Sequence, residues 1–227
     1  MNPEILIDIN DMQTRRSVSE LDIWIKEQCE KFTATPETKA YLRGHQGLTK
    51  QLLEEVLPIA RYTQAKYGLN SDVGITPVIG NQKYDALITT ESEIYKVEAT
   101  LACDGYEEHH RMQILQIEGH VPAWGKIEVS GTKHTGHKYK VHSSGVSNLQ
   151  IYRSIINNIL NAYRQKVSMS YKNVRHLIIG FGDNLGFGEL DDVEVFRSML
   201  SKLSGAHKGS FKGIWIVGNS GNFHAEY

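Results

Sequence analysis

A chain of 227 residues that is 40% apolar and 22% charged can bury a substantial core, which excludes disorder as its main state. A formal net charge of −1 excludes capture of a polyanion by overall charge, so an anionic partner must meet a local basic surface. With two cysteines, no run of about 18 apolar residues and no basic or long apolar stretch in MNPEILIDIND, the expected setting is cytoplasmic, with reduced thiols and no membrane partner.

Residues 1–45 read as a helical N-terminal region. Ser17-Val-Ser-Glu20 has the form of a capping box ahead of Leu21, Ile23, Trp24 and Ile25, and Thr35-Pro36 offers a second helix start. From Leu48 to Tyr67 the positions Leu48, Leu52, Val56, Ile59 and Ala60 keep helical spacing, while Pro58 predicts a kink or a split. At about 100° per residue Glu55 turns toward the apolar stripe and Glu54 away from it.

Val73 to Ile79 reads as a strand, and Gly80-Asn81 as a turn into the hairpin KYDALITTESEIYKVEAT, residues 83–100. Residues 104–117 read as a short helix, and 126–129 with 138–142 as a polar, His-rich ribbon. Leu149 to Tyr171 shows the clearest helical face, through Tyr152, Ile155, Ile156, Ile159, Leu160, Tyr163 and Val167. A buried strand at Leu177, an amphipathic helix over 190–203 and a closing strand at Ile214 complete an α/β pattern with a mixed sheet.

The hairpin carries one acid on each arm. A turn centred on Glu91-Ser92 pairs Thr89 with Ile94 and Asp85 with Glu98. Directly opposed side chains share a face with Cβ atoms about 4.5–5.5 Å apart, where like charges oppose pairing. Mg2+, or Mn2+ in its place, would offset that repulsion through hard oxygen ligands, and Lys83 with Lys96 on a solvated face is the competing account.

At these residues the chain resembles the PD-(D/E)XK, or restriction-endonuclease-like, nuclease superfamily. The likeness runs from about residue 46 to 182: a helix, a meander of strands bearing Asp85 and then Glu98-Ala99-Thr100, the long helix, and the strand at Leu177. It implies a mixed central sheet flanked by helices, here a domain over 46–227 with a helix and ribbon inserted at 104–146. It also implies a metal held by Asp85, Glu98 and the carbonyl of Ala99, with Glu55 in support. Tyr84 stands at the motif's proline, and Thr100 at its lysine. Superfamily members can draw that lysine from the following helix, where Lys166 sits at the edge of the apolar face; a snorkelling side chain is the plainer reading of Lys166, and a salt-bridged flank residue that of Glu55.

The expectation is therefore a metal-dependent nuclease acting on nucleic acid, DNA first, in a restriction, repair or phage-defence setting, with a homodimer in keeping with the superfamily's habits. The alternative is a nuclease-like domain without catalysis that binds nucleic acid or a protein. Lys126, Lys133, Lys138 and Lys140 on the ribbon, and Arg111 on the helix before it, are the candidate phosphate contacts. Arg111 has a simpler reading as an ion-pair partner of Glu107 or Glu108. The histidines at 109, 110, 120, 134, 137 and 142 lack the spacing of a known zinc motif. Gly180 to Gly188 invites a dinucleotide-loop reading, and with it a small-molecule enzyme, but Leu185 stands where the third glycine belongs.

Overall fold

The computed structural model describes residues 6–121, 126–132, 136–142, 147–183, 190–203 and 207–227. Lys133 and His134 lie outside these, as do residues 184–189 of the glycine-rich segment, and the side chains of Lys126 and His137 are not among those described.

The elements follow in chain order: α1 (Ile9–Met12), β1 (Arg16–Ser17), α2 (Val18–Thr33), α3 (Pro36–Arg43), α4 (Leu48–Gln51), a π-turn (Leu52–Val56), α5 (Leu57–Tyr67), β2 (Gly74–Pro77), β3 (Ala86–Thr89), β4 (Ile94–Leu101), α6 (Gly105–Glu118), β5 (Lys126–Thr132), β6 (Gly136–His142), α7 (Asn148–Val167), β7 (Val174–Phe181), α8 (Leu190–Leu200), β8 (Gly213–Gly218) and β9 (His224–Glu226). Seven strands form one mixed sheet in the order β1-β2-β3-β4-β7-β8-β9, and β5 pairs with β6 in a separate ribbon. β1 to β4 run as an antiparallel meander, β4, β7 and β8 are parallel, and β9 closes the far edge antiparallel. The chain is thus mixed α/β, with helices on both faces of an open sheet.

Local chemistry sets the helix starts. Ser17 accepts from Glu20 N while the Glu20 carboxylate accepts from Ser17 N, which is the capping box read at Ser17–Glu20. Thr35 caps α3 with Pro36 in its first turn, and Ser147 with Gln150 caps α7 in the same reciprocal way.

Two cores lie on opposite faces of the sheet. One packs Leu21, Trp24, Leu52, Val56 and Ile59 against Ile75, Ile88, Tyr95, Val97 and Ala99. The other packs Tyr152, Ile155, Ile159, Phe196 and Leu200 against Leu177, Ile179, Phe181 and Ile216. Residues 6–45 share the first core, and their β1 joins the main sheet. Ile23, expected on the apolar face of α2, points out and is 55% exposed. Gly180 in β7 lets α5 approach closely, since a Cβ there would stand 2.6 Å from Pro58 Cγ.

Pro58 has the expected effect on its helix, one turn early. The helix widens at Leu52–Val56, where the Leu57 N–H reaches back to Leu52 O, and α-helical geometry resumes at Leu57. A proline cannot donate to the carbonyl four residues before it, and one wider turn ahead of Pro58 absorbs that mismatch. α7 ends at Val167, four residues short of the expected boundary, so Tyr171 belongs to the loop that leads into β7.

Candidate active site

The hairpin register is the one its turn dictates. Thr89 pairs with Ile94, Ile88 with Tyr95, Leu87 with Lys96 and Ala86 with Val97. The ladder stops there, one step before Asp85 and Glu98. The Asp85 N–H donates to Val97 O at 2.9 Å, and the Asp85 carbonyl accepts from Val78 N at 2.8 Å. The next backbone donor of β4, Ala99 N–H, is taken by the carboxylate, with Asp85 Oδ2 at 2.7 Å. Asp85 thereby continues the ladder with its side chain, which fixes the carboxyl beside Glu98.

Glu98 sits in the middle of β4, between β3 and β7, and is only 6% exposed. Val97 and Ala99 on either side point into the first core, so Glu98 points to the opposite face, toward α7. Lys166 Nζ donates to Glu98 Oε1 at 2.5 Å, and Tyr171 Oη donates to the same oxygen at 3.1 Å. The lysine side chain is 21% exposed, so its stem covers apolar surface as a snorkelling residue does while its ammonium is spent on Glu98.

The electrostatics follow from burial and crowding. Burial, reinforced by the Glu98 charge, pushes the Asp85 carboxyl up to about 7 against the pull of the Ala99 N–H. Glu55, on the π-turn, is also raised, first by burial and then by Glu54 and Glu98. Burial alone would lower the Lys166 ammonium, but its hydrogen bond to Glu98 and that residue's charge more than offset this and raise it. Tyr171 is pushed up to about 12 by burial and by Glu98, so its phenol keeps its proton.

Asp85, Glu98 and Lys166 therefore converge, although Lys166 lies 68 residues beyond Glu98. Glu55 feels the charges of both Glu98 and Lys166. Glu54, read as pointing away, pairs with His45 at 2.9 Å. Among the described residues no three His, Cys, Asp or Glu side chains are placed to hold a metal ion together. Asp85 and Glu98 nonetheless offer two carboxylates, and among the described residues Asp85 Oδ1 and Glu98 Oε2 accept no hydrogen bond. Two carboxylates with a free oxygen each suit Mg2+, which takes one or two carboxylates and completes its shell with water and phosphate.

Tyr171 is the site residue that sequence reasoning missed, because it was placed at the end of α7 rather than in the following loop. The signal available was Ser168 and Ser170, residues that favour helix ends, followed by Asn173, which adopts φ 60°. The other candidate contacts lie elsewhere. Arg111 sits on α6 with Glu107 at 4.0 Å, and Lys138 and Lys140 are exposed on β6 of the ribbon, apart from the main sheet. Lys126 opens β5, opposite His142, whose ring lies 3.0 Å from the Glu128 carboxylate. No helix of the described residues is long and apolar enough to cross a membrane.

Comparison of the chain with protein-family models, with curated proteins and with solved structures returned no match.

Proposed function

We propose that the protein is a magnesium-dependent phosphodiester hydrolase acting on DNA, with Asp85, Glu98 and Lys166 as its catalytic residues. The observation that carries this reading is the contact of Lys166 with Glu98. Thr100 leaves the resemblance without its lysine, and α7 returns a lysine to the same acid. A restriction-endonuclease-like arrangement of the meander, α7 and β7 is part of the proposal.

Asp85 Oδ1, Glu98 Oε2 and the carbonyl of Ala99 would hold Mg2+ or Mn2+, with Glu55 acting on the site through its charge. When bound, the ion supplies Lewis-acid polarisation of the phosphodiester and a lowered pKa for the attacking water. Asp85 must give up its proton to serve, and its pKa of about 7 places that change near neutrality. Lys166 carries a fixed positive charge at the acid pair, where it can orient the attacking water or stabilise charge on the scissile phosphate. Tyr171 and Lys166 both hold Glu98 Oε1, which leaves Oε2 without a hydrogen bond among the described residues.

The test is cleavage of plasmid and linear DNA, with RNA as a parallel substrate, in Mg2+, in Mn2+ and in chelator. Nicking or cutting should require the metal and be lost in Asp85→Ala and in Glu98→Ala while circular dichroism stays native. Cleavage that survives either substitution refutes the site. Binding without cleavage in either metal supports the alternative of a nuclease-like domain that has lost catalysis.

A further inference from the structure

A second feature opens at the end of the sheet, one step along the hairpin from the acids. A cavity of about 510 Å³ lies where β4 and β7 begin, lined by Lys96, Arg175 and Lys212 against a single carboxylate, Glu93, with Leu87 and Asn173 beside them. Leu87 and Lys96 are an opposed pair in the hairpin. Leu87 follows Asp85 by two residues and Lys96 precedes Glu98 by two, so both pairs face the same way, about 7 Å apart at the usual rise per residue. The loop between α7 and β7 joins the two places: Tyr171 bonds Glu98, and Asn173 lines the cavity.

The cations are held ready. Lys96 Nζ lies 4.3 Å from the ring centre of Tyr84, and the Arg175 guanidinium 4.8 Å from that of Tyr95, so aromatic faces orient both without neutralising them. Arg175 is ion-paired with Glu93, whose carboxylate is held below its usual range first by that hydrogen bond, and also by Lys212 and Lys66. Glu93 is exposed on the turn side of the hairpin, and such pairs are weak in water. A phosphate can therefore displace the carboxylate and take the guanidinium in a bidentate contact.

We infer that this cavity seats a backbone phosphate of the same nucleic-acid strand whose neighbouring phosphate lies at Asp85 and Glu98. The inference rests on the phosphodiester reading above, and it assigns Lys96, Arg175 and Lys212 as the strand's anchor. The spacing between the two pairs is on the scale of one nucleotide repeat. Lys96 links the acids to the cavity along one face, and Arg175, stacked on Tyr95 of the first core, reaches it from the other face of the sheet. The glutamate acts as a placeholder that the phosphate replaces.

The experiment measures binding of a short fluorescein-labelled DNA duplex by anisotropy across a series of salt concentrations. Asp85→Asn serves as the uncut parent, and Lys96→Ala, Lys212→Ala and Glu93→Gln are added to it. Each lysine substitution should reduce the slope of log affinity against log salt by about 1, the value of one lost phosphate contact. Glu93→Gln should bind more tightly than the parent, a gain that a structural role for this ion pair does not produce. Unchanged slopes in both lysine variants, with the wild type still cutting DNA, overturn the cavity assignment and leave the hydrolase intact. Altered slopes with no cutting by the wild type uphold the cavity and overturn the hydrolase. No binding by the parent or the wild type overturns both. Thermal melts confirm folding of each variant, and Lys212, exposed at the cavity rim, is the safer of the two lysines to remove.

Discussion

Lys166 Nζ stands 2.5 Å from Glu98 Oε1, and Glu98 is almost fully buried in the central strand. Removing the lysine leaves that carboxylate with Tyr171 as its one remaining donor among the described residues. Lys166→Ala should therefore destabilise the fold by about 3 kcal/mol, the lower end for a broken buried pair because the lysine is partly exposed. Chemical denaturation reads this, and Lys166→Met combined with Glu98→Gln should recover most of it. Cleavage should not return in that double variant.

The same contact predicts a rescue. Thr100 lies two residues beyond Glu98 on the same face of β4, where the resemblance expects a lysine. Thr100→Lys in a Lys166→Ala background should raise cleavage at least about tenfold above Lys166→Ala alone, since a positioned cation is typically worth more than that in such sites. A Thr100→Lys chain that folds and stays inactive would show that the position of Lys166, and not its charge alone, is required.

Asp85 should couple stability to pH with an unusual sign. Its folded pKa of about 7 lies above the ordinary aspartate value of 3.8, so between these the native state holds a proton that the unfolded state has released. Stability without metal should then fall as pH rises through this window, and the cost is complete above about pH 7. Asp85→Asn keeps an oxygen to accept from Ala99 N–H and removes the charge. It should stabilise the metal-free protein by on the order of 1–2 kcal/mol at about pH 8, and hardly at all near pH 4, after discounting for partial exposure. Melting temperatures in chelator at the two pH values check this.

Glu55 is raised by burial and by the charges of Glu54 and Glu98, so part of its cost is repulsion within the site. Glu55→Gln should raise the metal-free melting temperature slightly. It should also increase the magnesium concentration for half-maximal cleavage by about tenfold, the usual scale for removing a group that supports the ligands. An unchanged magnesium dependence would limit Glu55 to packing on the π-turn.

Gly180 provides a control away from the acids. A Cβ there would lie 2.6 Å from the Pro58 ring, which is no flexible chain end and cannot swing aside. Gly180→Ala should cost about 1–3 kcal/mol in stability through overpacking. Its metal dependence should match the wild type, because α5 shifts against β7 without touching the Asp85 carboxylate. This also replaces the dinucleotide reading of Gly180 with a packing reason for its lack of a side chain.

The sequence by itself determined the parts that rest on neighbours in the chain. The caps at Ser17, Thr35 and Ser147 follow from short-range hydrogen bonds, and a turn at Glu91-Ser92 sets which residues oppose across β3 and β4. Strand alternation then puts Asp85 and Glu98 on one side. Tertiary structure alone decided which partner meets the acids. Lys166 and Tyr171 reach Glu98 because the crossover through α7 lays that helix over the central strand, and a helical wheel cannot say which strand its flank will face. The early end of α7, the π-turn before Pro58 and the cations gathered at the start of β4 and β7 arise in the same way, from packing between segments far apart in sequence.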